Sequence, residues 1–212
     1  MGAHIFVDNS NIFGGAQRAA NTHEPEAVWM SVRLYYRNFF RLIEHGHQPE
    51  TQELAGSVPP GNETLWDYAR EGGYNTDLLE KIEKDDGNLV EQGVDEMLHL
   101  KIANSLLDYN PPQTLILATG DGNVSDFGTS FVQQAKRALN QGWDVEVWSW
   151  EEQLSGRYER IRVPDERSLD VNLLDDYYKQ ITFIDGGEYE ISGSNVRVED
   201  RVVNQLQIGE EV

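Results

Sequence analysis

Three aspartates occupy places from which a fold could bring them together: Asp8 in IFVDNSN, Asp95 in EQGVDEML and Asp121 in LILATGDGN. Asp8 and Asp121 each follow a run of strand-forming apolar residues, and Asp95 opens a run with helical spacing. In an open parallel sheet, ligands bind outside the carboxyl ends of the strands, so two strand-end acids would project into one crevice. Clustered carboxylates suit a hard divalent cation: Mg2+ or Mn2+ takes oxygen ligands, usually one or two carboxylates with waters and substrate phosphates. One or two such ions can activate water and stabilise both oxygens of an in-line phosphodiester displacement. Without them the carboxylates would repel one another, and at least one pKa would rise.

Each residue also has an ordinary structural use. Asp8 and Asp121 could serve as turn residues, and Asp95 as a first-turn acid favoured by the helix dipole. Asn11, three residues after Asp8, is close enough to hold that carboxylate or a water through its amide, or it caps a helix. In DGNVSDFGTS, Asp126 either joins the acids or caps the next helix. His99, one turn beyond Asp95, either faces the site or is a surface or structural residue.

For these acids to meet, strands and helices must alternate along the chain, which is the pattern of an α/β domain with a mostly parallel sheet. Ile5, Phe6 and Val7 predict a strand over 3–8. Val28, Val32, Tyr36, Phe39, Phe40 and Ile43 predict a helix over 26–45. A short strand is expected from residue 51, a short helix in LWDYAREGG stopped by Gly72 and Gly73, and an extended segment with a turn at Asp86–Gly87. Val94, Leu98, Ile102 and Leu106 share one face of a helix over 94–109, ended by Pro111 and Pro112. TLILATG reads as a buried parallel strand, followed by a helix over 128–141 and the strand WDVEVWSW. Beyond 150 the pattern weakens: a helix is expected near 151–160, a short strand at 161–163 and a helix over 173–180. The tail then alternates like a hairpin turning at Gly193–Ser194, or forms a partly ordered arm. These elements predict a domain over 1–165 and an acidic C-terminal extension over 166–212.

With 39% apolar and 10% aromatic residues among 212, the chain can bury a sizeable core. It has no Cys, which excludes disulfides and thiolate metal sites. No membrane helix or secretion signal is expected, so the chain is expected to be intracellular, in cytoplasm or nucleus. The matches to the glycosylation pattern at Asn62 and Asn123 are then chance. The formal charge of -20 opposes general adhesion to nucleic acid. The acid excess is uneven: residues 181–212 hold seven acids and two bases. That tail is read as a dimer arm or an edge-strand cover.

Taken together, FVDNSNIFGG, QGVDEMLHLKI, and LILATGDGNVSDF followed by GWDVEVWSW resemble the NYN domain family, a branch of the PIN-like metal-dependent ribonucleases. The resemblance covers about residues 3–150. It implies a three-layer α/β/α sandwich whose acidic crevice binds Mg2+ or Mn2+ and cleaves RNA. It also implies Asp8, Asp95 and Asp121 as metal ligands, Asn11 as the residue that orients them, and Asp126 as the fourth acid. Many members carry Gly-Asp-Ser-Asp-Phe at the last motif, whereas here Asn123 fills the nearer slot. Either Asn123 is a neutral ligand, or a longer loop returns Asp126. For the RNA, Arg33, Arg37 and Arg41 would form a cationic stripe on the 26–45 helix, joined by Arg18 after the Gly14–Gly15 loop and by Lys101. Lys84, Lys136 and Arg137 are scattered extras. The competing reading is a non-catalytic module of the same fold that binds RNA or protein. No phosphate-cradling glycine loop, Asp-x-Asp phosphatase motif or nucleophilic Ser constellation is present.

Overall fold

The computed structural model describes residues 1–58, 63–83, 89–90 (backbone only), 93–125 and 128–209. The chain opens with strand β1 (Ala3–Asp8), in which Ala3, Ile5 and Val7 point into one apolar layer and Phe6 into the other. This period of two is what a strand covered on both faces requires.

Helix α1 (Asn9–His23) follows at once, where a loop through Gly14 and Gly15 was expected. It buries Ile12, Ala16, Ala19 and Ala20, a stripe of helical spacing. Each glycine inside a helix costs about 1 kcal/mol relative to Ala, so something must offset it. A Cβ on Gly15 would lie 2.2 Å from Cδ1 of Trp150 and closer still to the Gln153 side chain. The missing Cβ is what lets α1 sit against Trp150, whose indole donates to the Ile12 carbonyl at 2.9 Å.

The expected helix over 26–45 is divided. Trp29–Ser31 form a 3-10 turn, Val32–Leu34 form strand β2, and only Tyr36–Ile43 form a helix, α2. Val32 and Leu34 fit either period over so short a span. A distant strand decides between them, because β2 pairs antiparallel with Thr182–Ile184 near the other end of the chain.

Then come β3 (Pro49–Val58), α3 (Glu63–Glu71), β4 (Asn75–Glu80), the short pair β5 (Ile82–Glu83) and β6 (Leu89–Val90), α4 (Val94–Asp108) and β7 (Thr114–Ala118). The chain goes on through α5 (Phe131–Asn140), β8 (Asp144–Ser149), β9 (Leu169–Leu173), α6 (Tyr178–Ile181), β10 (Thr182–Ile184), β11 (Gly187–Ile191) and β12 (Ser194–Val198). Helix α4 and strands β7 and β8 stand where the periodicity placed them. The expected turn at Asp86–Gly87 lies outside the described residues. Residues 151–160 hold two 3-10 turns, Glu151–Gln153 and Tyr158–Arg160, in place of a helix, and 161–163 pair with no strand.

The central sheet has the order β4-β3-β1-β7-β8-β9, with each neighbouring pair parallel. Helices α1, α2, α3 and α6 cover one face, and α4 and α5 cover the other, giving a three-layer α/β/α sandwich. Strand β9 completes the sheet beside β8 from beyond residue 165. The C-terminal hairpin β11–β12 turns on Ser192 and Gly193, both at positive φ, one residue earlier than expected. The segment after it is tied back: Arg201 bridges to Ile184, and its guanidinium bonds Glu24 at 2.8 Å and the Thr182 carbonyl at 2.8 Å. No helix among the described residues is long and apolar enough to cross a membrane.

Candidate functional site

Strands β1 and β7 are neighbours in register, Val7 opposite Ala118, so their carboxyl ends open side by side. Asp8, the last residue of β1, is 4% exposed. Its Oδ1 accepts the Asn11 amide at 3.0 Å and caps α1, so the ordinary cap role is fulfilled here. Its Oδ2 accepts the Thr119 hydroxyl at 3.3 Å. That same hydroxyl oxygen accepts the Asp121 amide at 3.2 Å. Thr119 thus links the Asp8 carboxylate to the Asp121 main chain.

Asn11 acts on the opposite loop. Its side-chain oxygen accepts the Gly120 amide at 3.0 Å, which fastens the turn after β1 to the turn after β7. Gly120 is needed there, because a Cβ would lie 2.2 Å from the Ser149 hydroxyl and 2.6 Å from the Gln153 carbonyl. With its amide turned so that both ends are satisfied, the Gln153 side chain donates to the Asn11 carbonyl at 2.8 Å and accepts from Arg18.

Asp121 is half-buried, and its Oδ1 accepts the Asn123 amide at 2.8 Å. Asn123 itself is exposed, and the contact it makes to Asp121 is through its backbone. Asp126 lies outside the described residues. The buried Tyr158 hydroxyl donates to the Asp121 carbonyl at 3.2 Å. Its pKa is pushed far up, first by burial and then by the charges of Asp121 and Asp8, so it stays a neutral donor between them.

Asp95 is half-buried in the first turn of α4. That helix packs on β1 and β3 and leads to the start of β7, so its first turn lies toward the carboxyl ends of the strands. One turn along, His99 is 3% exposed, packs edge-on against the Phe131 ring at 4.4 Å, and has no hydrogen-bond partner among the described residues at either ring nitrogen. Burial lowers its pKa, while the charges of Glu96 and Asp121 pull the other way. It is a buried residue at the edge of the site.

The expected cationic stripe does not form. Arg33 lies on β2, not on a helix, and its guanidinium is taken up by the Met30 carbonyl at 2.5 Å and the Val32 carbonyl at 3.1 Å. Arg37 and Arg41 are exposed on α2, with Arg37 raised in pKa by contact with Tyr68 and Tyr35. Lys101 is bound inside the sheet edge by Glu53 at 2.6 Å and by Asp77. Burial works against its charge, but hydrogen bonds to Asp77 and Glu53 outweigh it and hold the ammonium above its ordinary pKa. Of the expected RNA contacts, Arg18 alone is joined to the acidic site.

Thr119, Gln153 and Tyr158 were not singled out in the sequence. Thr119 sits inside LILATGD, between the strand and its acid, and a hydroxyl there was the available signal. Gln153 and Tyr158 come from a stretch without clear period.

No protein-family model matches the chain, and no curated protein matches it. Among solved structures it is similar to a crystal structure of a protein of unknown function from Vibrio parahaemolyticus. That likeness has a TM-score of 0.56 and 15% identity over 82% of this chain and 93% of that chain. At that identity the likeness shows the fold alone.

Proposed function

We propose that the crevice above Asp8 and Asp121 is the site of a divalent-metal-dependent ribonuclease of NYN type. One observation carries the reading: a single hydroxyl, that of Thr119, ties the Asp8 carboxylate at the end of β1 to the Asp121 main chain just after β7. The donors are oxygens, which suit Mg2+ or Mn2+ held through one or two carboxylates and waters. Asp8 and Asp121 would hold the ion, with Asp95 in the first turn of α4 as the further acid. A bound ion would supply a Lewis acid for the phosphate and a more acidic water. Asn11 and Thr119 keep the two turns at a fixed separation, and Tyr158 holds the Asp121 main chain.

A second reading, a binding module of this fold without catalysis, is favoured by a different observation. Among the described residues, no three His, Asp or Glu side chains stand close enough to cage an ion.

Labelled single-stranded and structured RNAs incubated with the protein in Mg2+ or Mn2+ separate the two. Cleavage that stops in EDTA and in Asp8→Asn and Asp121→Asn supports the nuclease. Cleavage unchanged in Asp8→Asn points to a contaminant and sinks it, and RNA binding without cleavage leaves the second reading.

A further inference from the structure

With 37 acids against 17 Lys and Arg, a face of bare cations is an exception on this protein. One such face exists. Lys136 and Arg137 project from α5, and Arg157, Arg160 and Arg162 come from the stretch after β8; all are exposed. They line two open cavities of about 480 and 650 Å³ that share Lys136, Asn140 and Arg160, and so form one groove. Among the described residues, none of these cations takes part in an ion pair. The acid lining the groove, Asp165, belongs to the second cavity, on the side away from Gly122.

The other end meets the acidic site. Gly122 lines the groove, and its carbonyl accepts from the Arg157 guanidinium one residue beyond Asp121. Closely placed cations with no ion-pair partner give a local positive potential that suits a ligand with several closely spaced negative charges. Guanidinium groups bind phosphate through paired N–H donors, and the exposed Val124 supplies apolar surface beside them.

We propose that this groove is a backbone-binding track for single-stranded RNA, which leads the strand to or from Asp121 and needs no metal. The choice of RNA rests on the ribonuclease reading; the match to a polyanionic ligand does not.

The test is fluorescence anisotropy of a labelled single-stranded RNA oligonucleotide with the full chain in EDTA, over a range of salt. The double variant Arg160→Glu/Arg162→Glu should weaken binding at least about tenfold and reduce the log–log salt slope by roughly 1.4, since each phosphate contact on a single strand contributes about 0.7. Lys179→Glu/Arg197→Glu makes the same change in net charge on α6 and β12, away from the groove, and should leave affinity within about twofold. Thermal melts of both variants check that the fold survives. The track is overturned if wild type does not bind, if the groove variant binds like wild type, or if both double variants weaken binding equally. Tripolyphosphate that competes as well as RNA at equal phosphate concentration would show a site for small polyphosphates and overturn the strand assignment. Groove-dependent binding without cleavage leaves the track standing and removes the nuclease; cleavage with groove-independent affinity does the reverse.

Discussion

The side-chain oxygen of Asn11 accepts the backbone amide of Gly120 at 3.0 Å across 109 residues of sequence. It is the direct strut between the turn that carries Asp8 and the turn that carries Asp121. Asn11→Ala would leave a buried N–H without its acceptor, which costs about 1–3 kcal/mol. Denaturant unfolding should show that loss. Cleavage should fall further than stability does, because the spacing of the acids is released while most molecules stay folded. A variant as stable and as active as wild type would remove Asn11 from the site.

Asp8 has a structural duty and a proposed chemical one, and two substitutions separate them. Asn caps helices about as well as Asp, so Asp8→Asn should stay within about 0.5 kcal/mol of wild type, whereas Asp8→Ala should lose about 1 kcal/mol. Mn2+ should raise the melting temperature of wild type, since an ion that binds only the folded state stabilises it by about 2.7 kcal/mol at a hundred times its dissociation constant. Asp8→Asn/Asp121→Asn should show no such rise. Equal shifts in both proteins would place the ion elsewhere.

Lys101 is expected to matter for folding and not for RNA. It is held by Glu53, which is 6% exposed, and by Asp77. Lys101→Met would strand the Glu53 carboxylate in a largely buried place, at about 1–3 kcal/mol. Unfolding curves should move by that amount while RNA affinity stays put; the opposite pattern would return Lys101 to the interface.

The contrast between Lys101 and Asp121 shows what could be read along the chain. Asp8 and Asp121 were legible because a strand that is apolar on both faces is unmistakable, and a polar residue that ends it must lie at the sheet edge. Helix α1 was hidden by Gly14 and Gly15, whose justification is Trp150, and that residue's bond to Ile12 spans 138 positions. Strand β2 was hidden because β10, which makes it a strand, lies near the far end of the chain. Arg33 then left the expected stripe with it. The cationic groove was invisible for the same reason: Lys136 and Arg137 look like an ordinary solvated helix face until Arg157, Arg160 and Arg162 are folded against them.

The last prediction concerns His4, which is fully buried between the rings of Tyr109 and Trp143, at 4.4 and 4.7 Å. Its Nδ1 meets the Thr51 hydroxyl at 3.0 Å, and its Nε2 has no partner among the described residues. Burial holds its pKa below the ordinary 6.5, with the Glu50 charge opposing. The folded state therefore binds fewer protons than the unfolded one at mildly acidic pH. Stability should be complete above about pH 6.5 and fall as pH drops toward the lowered value, by up to about 1.4 kcal/mol per unit for this one group. His99 is shifted the same way by burial and should add to the slope. Glu44, raised by burial against its bonds to Tyr74 and Gln52, acts in the opposite sense: its contribution is complete below 4.5 and lost as pH rises through its raised pKa. Urea unfolding at pH 7.5, 6.5 and 5.5 should show the decline, and His4→Gln should make it shallower by about one proton. A His4→Gln profile as steep as that of wild type would mean that His4 keeps its ordinary pKa inside the fold.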